Sequence, residues 1–287
     1  MKFPSVRTLF IGTLFAFLWA SASTAGKFGL RSAEPLFLFT FRFLVAGLIM
    51  LGWVSVVNRE RLPLKGEWKP LTVFGLFNTT LYLGIFIIAL QYVTPGITSL
   101  AIALNPVLIS IMSARMLGRK VAPGEWLSIV IGCGGVALAT WPLIDSGAVQ
   151  FRGIWMLSLC MLTYSYGSVY YRTVEWKLSR VAINAWQVFI GGLLLLPFAL
   201  YFGEGTSRLD LNFWLSELWL ILPVSVVSVQ LWLILLKADA VRASMWLFLC
   251  PIFGILVSAM LLGEPVTWHT VTGTALVLLS LYWGQRS

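Results

Sequence analysis

Apolar runs close to 20 residues long recur along this chain from end to end. Each approaches the length a helix needs to cross the ~30 Å hydrocarbon layer of a bilayer. Inside that layer a backbone must satisfy its own hydrogen bonds, so such runs become helices. Ten are read here, at 8–26, 36–57, 70–90, 96–114, 124–141, 153–171, 181–202, 214–236, 243–262 and 267–284. Pro95-Gly96 marks the turn between the third and fourth, and "KADAVR" forms a tight charged link before the ninth. Composition agrees: 59% of residues are apolar, mean hydropathy is +0.89, and the 11% charged share is under half the ~25% usual in globular proteins. The predicted fold class is an all-α integral membrane protein with ten transmembrane helices.

The net charge of +9 does not indicate a nucleic-acid partner. The basic residues form short clusters between apolar runs, with no single basic face. With the N-terminus in the cytoplasm, the cytoplasmic segments hold fifteen Lys and Arg and the outer ones four: Lys27, Arg31, Arg152 and Arg208. All the links are short, where the positive-inside bias has full weight, so both termini are predicted cytoplasmic. Lys2, Arg7 and the "ASA" at 20–22 imitate a cleavable leader. A counterpart segment in the second half argues that the run is a retained first span. Cys133, Cys160 and Cys250 lie inside apolar runs without metal-ligand or CxxC spacing.

The chain repeats itself at an offset of 145 residues: "LNPVLISIMSARMLGRKV" at 104–121 answers "LCPIFGILVSAMLLGEPV" at 249–266. Between 99 and 121, eight of 23 positions match, among them Ser99/Ser244, Pro106/Pro251 and Gly118/Gly263. The same offset pairs Gly47 with Gly192, Lys27 with Arg172 and Arg42 with Gln187. Each half carries five spans, an odd number, so the second copy enters the membrane upside down. The cytoplasmic link at 115–123 carries Arg115, Arg119 and Lys120, whereas its external counterpart at 263–267 carries no Lys or Arg. Charge therefore follows orientation. The predicted domains are a first repeat at 1–145 and a second at 146–287. Inverted repeats are a transporter architecture, since they give one fold two mirror-related openings.

At these paired stretches, and at "LWASASTAGKFG" (18–29), "FLFTFRFLVAG" (37–47), "ALQYVTPGITSLAIALNPV" (89–107) and "ADAVRASMWLFLCPIFGILVSAMLLGEPV" (238–266), the chain resembles the EamA group of the drug/metabolite transporter superfamily. The resemblance spans essentially the whole chain. It implies a ten-helix inverted-repeat bundle in which helices 1, 3, 4, 6, 8 and 9 surround a central cavity and helices 5 and 10 are peripheral. It further implies export of amino acids, related metabolites or toxic compounds, with vitamin import in some similar proteins. One departure stands out: where the family often has Glu after Leu-Gly in both repeats, this chain has Glu264 in the second but Arg119 in the first.

Candidate solute contacts are polar or aromatic residues inside spans. Trp19, Ser23 and Gly26 share a face of span 1, with Lys27 near its outer end; Tyr164, Ser168 and Tyr171 share a face of span 6. Trp19 and Tyr164 are repeat partners, and both lie mid-span, where an interfacial aromatic belt would not place them. Span 3 offers Asn78, Thr79 and Tyr82; span 4 offers Ser99, Asn105 and Pro106; span 8 offers Gln230; and span 9 offers Ser244, Trp246 and Pro251. Each proline removes an amide donor and frees a carbonyl one turn back, which builds either a solute site or a simple kink. Gln230 needs a partner on a neighbouring helix or on the solute. Lys27, Arg42, Gln187 and Glu264 are read as structural or gating groups. Arg42 contacts an anionic or zwitterionic solute, snorkels outward or bonds helix carbonyls. All eleven Asp and Glu fall in links or at span ends, so no buried carboxylate is expected for proton coupling.

His269 reads as a surface group at a peripheral helix end. There is no GxxxxGK[ST] phosphate loop, no nucleophile–His–Asp pattern, and no expected cofactor, metal or catalysis. Trp53, Trp68, Trp126, Trp141, Trp155, Trp214, Trp219 and Trp283 read as belt residues. The implied cavity is apolar, aromatic and hydroxyl-lined, suited to a small amphipathic metabolite and unsuited to phosphorylated solutes. The sequence reading is a multi-pass secondary transporter of the bacterial inner (plasma) membrane exporting metabolites such as amino acids. Import of a planar vitamin such as riboflavin is the alternative, with a membrane enzyme or scaffold more remote. A monomer and a homodimer both remain open.

Overall fold

The computed structural model describes residues 6–93, 98, 101–144, 150–262 and 267–284, and among them every regular element is helical. Helix α1 is Val6–Gly29 and α2 is Pro35–Val56. Helix α3 runs Lys65–Ala89 and contains a π segment at Leu76–Leu81. Then follow α4 (Asn105–Met116), α5 (Pro123–Ile144), α6 (Phe151–Thr173) and α7 (Arg180–Phe202). Helix α8 runs Leu211–Ala238 around a second π segment, Leu220–Ser228. Helix α9 begins as Ala240–Met245, tightens into a 3-10 turn at Trp246–Phe248 and continues as Leu249–Leu262; α10 is Trp268–Gly284. Six of these, α1, α2, α3, α7, α8 and α9, are long and apolar enough to cross a membrane, and α5 and α10 carry shorter apolar stretches. The chain is a multi-pass membrane protein. The Pro95-Gly96 turn, Ser99, Glu264 and the 145/146 repeat boundary lie outside the described residues.

Local chemistry sets the helix starts. Ser179 Oγ accepts from the Ala182 amide at the head of α7, Asp210 Oδ1 from Phe213 at α8, and Asp239 Oδ1 from Arg242 at α9. Each satisfies a donor that the first helical turn leaves open. Pro35 and Pro106 stand in the first turns of α2 and α4, where a missing amide costs nothing. The Pro106 position corrects the expectation of a proline in the interior of a continuous span. The chain turns at Ala103–Leu104, the Leu104 amide donates to Ala101 three residues back, and α4 starts afresh at Asn105. Cys133 of α5 donates its thiol to the Ala103 carbonyl beside this break. In α9 the 3-10 turn likewise ends just before Pro251. A ring that clashes with the carbonyl one turn back accounts for both interruptions.

The two halves interlock. Helix α1 packs against α8 and α9, while α6 packs against α3 and α4, so the first helix of each half lies on the third and fourth helices of the other. Helices α2 and α7 pair, as do α5 and α10. At the α2–α7 crossing, a Cβ on Gly47 would lie 2.6 Å from Phe189 Cβ, and one on Gly192 would lie 3.0 Å from Phe43 Cβ. These repeat-related glycines admit close backbone approach from either side. The π segments at 76–81 and 220–228 also coincide under the 145 offset. The eight tryptophans read as belt residues are all exposed on the outside of the bundle.

The links repeat one contact with its polarity reversed. Glu34, between α1 and α2, accepts from the Glu204 and Thr206 amides and the Thr206 hydroxyl in the α7–α8 link. Its repeat partner Ser179, between α6 and α7, donates through Nα and Oγ to Glu60 in the α2–α3 link. The Thr206 bonds hold the Glu34 carboxyl below its ordinary value, and the Ser32 hydroxyl does the same for Asp210. Those contacts are present above the unfolded carboxylate range and are lost as pH falls through the lowered folded values.

Gly47→Ala should lower thermal stability by about 1–3 kcal/mol, because its methyl would overlap the Phe189 backbone. Gly52→Ala on the same helix, where nothing lies within 4 Å, should be neutral or slightly stabilising. Melting of the detergent-purified variants checks the contrast, and equal midpoints would count against a tight crossing.

Candidate functional site

Four aromatic side chains meet at the centre of the bundle, one from each of α1, α3, α6 and α8. Trp19 stacks on Tyr82 with ring centroids 6.3 Å apart and meets Tyr164 at 5.7 Å. Tyr82 and Tyr164 are 4.7 Å apart, and Tyr164 stacks on Trp232 at 5.7 Å. Phe15, one turn from Trp19, closes the far side of Trp232 at 4.9 Å. None of these five exceeds 6% exposure. The repeat partners Trp19 and Tyr164 therefore touch each other at the interlock of the halves. Trp232 was not singled out in the sequence; a Trp deep inside "QLWLIL" was the available signal.

Unused polar atoms accompany the rings. Tyr164 Oη, Ser168 Oγ one turn on, Asn78 Oδ1 and Trp232 Nε1 are buried without a hydrogen-bond partner. A native interior rarely leaves such atoms unpaired. Asn78 is brought close by Gly167 of α6, where a Cβ would come within 3.2 Å of Asn78 Cβ. Ser23, on the same helix as Trp19, donates instead to the Ala20 carbonyl. Asn105 sits beside α6, donating through Nδ2 to Met161 Sδ at 3.1 Å and accepting from Ser165 Oγ at 3.0 Å.

A second polar layer joins α2, α3, α7 and α8. Thr79 Oγ1 donates to Gln187 Oε1 (2.6 Å), Gln187 Nε2 to Asn184 Oδ1 (3.0 Å), and Asn184 Nδ2 to the Ser225 carbonyl (3.0 Å). Arg42 Nε donates to Ser225 Oγ at 2.8 Å, and its guanidinium lies 4.8 Å from the Phe39 ring and 5.2 Å from Phe43. Every member is buried. Arg42 therefore does not snorkel; at 2% exposure it is fixed inward. Thr79 and Ser225 come from the two π segments, whose widened turn presents side chains that a regular α-turn would direct elsewhere. Gly75 and Gly191 let α3 lie tight on α7 and so bring Thr79 to Gln187. Asn184, three residues before Gln187, and Ser225 are members that sequence reasoning missed.

Other sequence candidates lie elsewhere. Gln230 donates to the Arg180 carbonyl at the head of α7 and is partly exposed, so its amide is spent on a helix–helix bond. Ser244 donates to Val241, three residues back. Trp246 packs over Gly12, where an added Cβ would lie 2.1 Å from the indole. Pro251 is buried in α9, and Lys27 is half-buried in the last turn of α1. Glu217 corrects the reading that all acids lie at span ends: helix α8 begins at Leu211, so Glu217 falls in its second turn, 1% exposed. A groove of about 580 Å³ between α2, α3 and α7 is walled by exposed Phe198 and Phe202 and is separate from the ring cluster.

On the face carrying the α4–α5 and α8–α9 links, Arg119 joins the halves. Its guanidinium grips Glu125 with two bonds of 2.6 and 2.9 Å, and its Nε reaches Asp239 Oδ2 at 2.9 Å. The Glu125 bonds, then Asp239, hold Arg119 above its ordinary value. The basic residue that replaces the expected Glu thus has a defined partner across the halves.

The sequence matches the EamA-like transporter family over residues 6–141 and again over 151–283. An uncharacterized transporter of Synechocystis is 26% identical, over 93% of this chain and 86% of that protein. One from Bacillus subtilis is 24% identical, over 98% and 92%, and an uncharacterized inner membrane transporter of Escherichia coli K12 is 25% identical, over 93% and 87%. A solved crystal structure superposes with a TM-score of 0.78 over 96% of this chain and 95% of its own, at 20% identity, which speaks to the fold.

Tyr164→Phe deletes a buried hydroxyl that has no partner, so the empty protein should lose under about 1 kcal/mol or gain stability. A calorimetric loss several times larger would show that the hydroxyl is structurally bonded.

Proposed function

The chain belongs to the EamA-like transporter family, and on that premise we propose that it is a secondary transporter that moves small amphipathic metabolites, amino acids foremost, out of the cell across a bacterial inner membrane. The observation that carries this reading is the central cluster: four rings from both halves with orphaned Tyr164, Ser168, Asn78 and Trp232 polar atoms among them. Rings supply apolar surface, and the orphaned atoms supply a few oriented hydrogen bonds, the mixture that suits an amphipathic solute. In the conformation seen here the rings close on one another, so a solute enters when the halves shift. The Arg119–Glu125–Asp239 cluster is then the clamp that holds the cytoplasmic side together, and the prolines of α4 and α9 mark where helices yield.

Within this reading the protein has ten spans in two inverted repeats, 1–145 and 146–287, with both termini cytoplasmic. The fifteen-to-four distribution of basic residues supports that orientation. In a background lacking the three native cysteines, a cysteine at Arg208 should react with an impermeant thiol reagent added to intact cells, and one at Lys65 should be protected. The opposite pattern would reverse the topology.

Counterflow in proteoliposomes with a mixed metabolite panel tests the function itself. Amino acids should exchange without covalent change, whereas saturable uptake of riboflavin alone would make the protein a vitamin importer. For the solute so identified, Trp19→Ala should weaken binding roughly tenfold, the loss of one contact of about 1.4 kcal/mol, and Trp19→Phe less. Native affinity in folded Trp19→Ala and Tyr164→Ala would remove the rings from the site and direct attention to Asn105.

A further inference from the structure

Glu217 is buried in an apolar helix, and neither carboxylate oxygen accepts a hydrogen bond. Its helix face is fixed by its neighbours. Ser216 donates to the Ala25 carbonyl of α1 at 2.7 Å, and Phe213, one turn earlier, packs on Phe37 and Phe41 of α2. The charged groups brought to this region are Lys27 and Arg31 from the outer end of α1, Glu34 and Arg42 from α2 and its lead-in, and Asp210 at the head of α8 itself. Glu34 is occupied by the 204–206 link and Asp210 by Ser32 and the Phe213 amide. Arg31 lies over the Phe28 ring, and Lys27 is half-buried near its helix end. Arg42 is the group whose charge acts on Glu217. Its Nη1 is a buried donor with no acceptor.

A buried acid and a buried cation therefore stand within electrostatic reach of each other, each with an unused bonding position. A carboxylate in such surroundings pairs with a cation, keeps water or takes up a proton. Arginine does not release its proton in proteins, so the carboxyl is the member able to exchange one. Arg42 lies against Phe39 and Phe43, and neither Arg42 nor Glu217 exceeds 2% exposure. A proton is the ligand that fits so enclosed a place.

We propose that Glu217 is a proton-binding site, and that Arg42 Nη1 receives its carboxylate when the proton leaves, so that solute movement is coupled to a counter-moving proton. The inference rests on the transporter reading above. In one state Glu217 is a neutral acid apart from Arg42. In the other, the O–H bond has broken, the proton has passed to water at the open face, and the carboxylate oxygen accepts from Nη1. Arg42 is already tied through Nε to Ser225 in the π segment of α8, whose carbonyl holds Asn184 of α7. Moving the first turns of α8 toward Arg42 therefore strains the polar layer that joins the halves. That is the mechanical link from proton occupancy to their arrangement.

Infrared titration of the reconstituted protein, without any solute, tests the site. The wild type should show the carbonyl stretch of a protonated carboxyl group that disappears as pH rises; Glu217→Gln should lack it, and Glu217→Asp should retain one at an altered midpoint. In vesicles holding a mixed amino-acid panel, a one-unit gradient, acid on the side opposite the solute, should drive about a tenfold concentration ratio for one proton per solute. Glu217→Gln should exchange solute without responding to the gradient. An unchanged titrating band in Glu217→Gln, or full gradient dependence in that variant, would overturn the proposal. So would a carboxylate that stays ionised throughout and shifts only when an amino acid is added, which would assign Glu217 to the solute's ammonium group. Failure of every amino acid to move would count against the transporter reading alone, since the infrared titration decides the proton site by itself.

Discussion

Arg42 and Gln187 occupy the same position in the two halves, and each finds its hydrogen-bond partner on the third helix of the opposite half: Ser225 for Arg42, Thr79 for Gln187. Polar side chains at membrane depth are costly unless partnered inside the protein. For this repeat-related pair the side-chain partner comes from the other repeat, while Asn184 links Gln187 and Ser225 within the second half. The interlock of α1 with α8 and α9, and of α6 with α3 and α4, follows the same logic on a larger scale. Apolar burial contributes little between helices surrounded by lipid, and glycine contacts with a few such hydrogen bonds set the register.

The repeats share devices and differ in charge. Both third helices widen into π segments, both fourth helices are interrupted ahead of a proline, and Gly47 and Gly192 serve the same crossing. Steric and backbone requirements are alike in the two copies. The chemistry is not: Arg42 answers Gln187, Glu34 answers Ser179, and Arg119 stands where the second copy has Glu264. Each swap keeps a bond or supplies a new one, as Arg119 does with Glu125 and Asp239. A bundle built this way has sterically similar halves with unequal electrostatics.

The rings of Trp19, Tyr82, Tyr164 and Trp232 come from helices of both halves and pack shut in the present arrangement. Their orphaned polar atoms make the closed cluster an imperfect interior. Under the proposed function, a shift between the halves separates the rings and exposes those atoms together.

The apolar runs were legible in the sequence because hydrocarbon imposes one solution on them, a self-bonded helix, and the repeat was legible because Pro106/Pro251 and Gly47/Gly192 answer backbone needs that do not depend on surroundings. Boundaries were less so. Helix α3 starts at Lys65, five residues before the predicted run, since Lys65, Glu67 and Lys69 ride an amphipathic first turn that a hydropathy reading trims away. The same trimming at α8 made Glu217 look like an end residue, when α1 and α2 enclose it. In helices apolar on every side, sequence carries no sign of which face turns inward. Trp232 therefore looked like any other tryptophan, Asn184 and Ser225 went unnoticed, and Gln230 looked central although it bonds the Arg180 carbonyl at a helix start. The sequence by itself determined that the chain crosses a membrane in repeated helices and which backbone positions must be small or kinked. Which side chains meet, and which polar atoms stay unpaired at the centre, was decided by the packing of the helices on one another, because those contacts join residues about 60 to 180 positions apart in the chain.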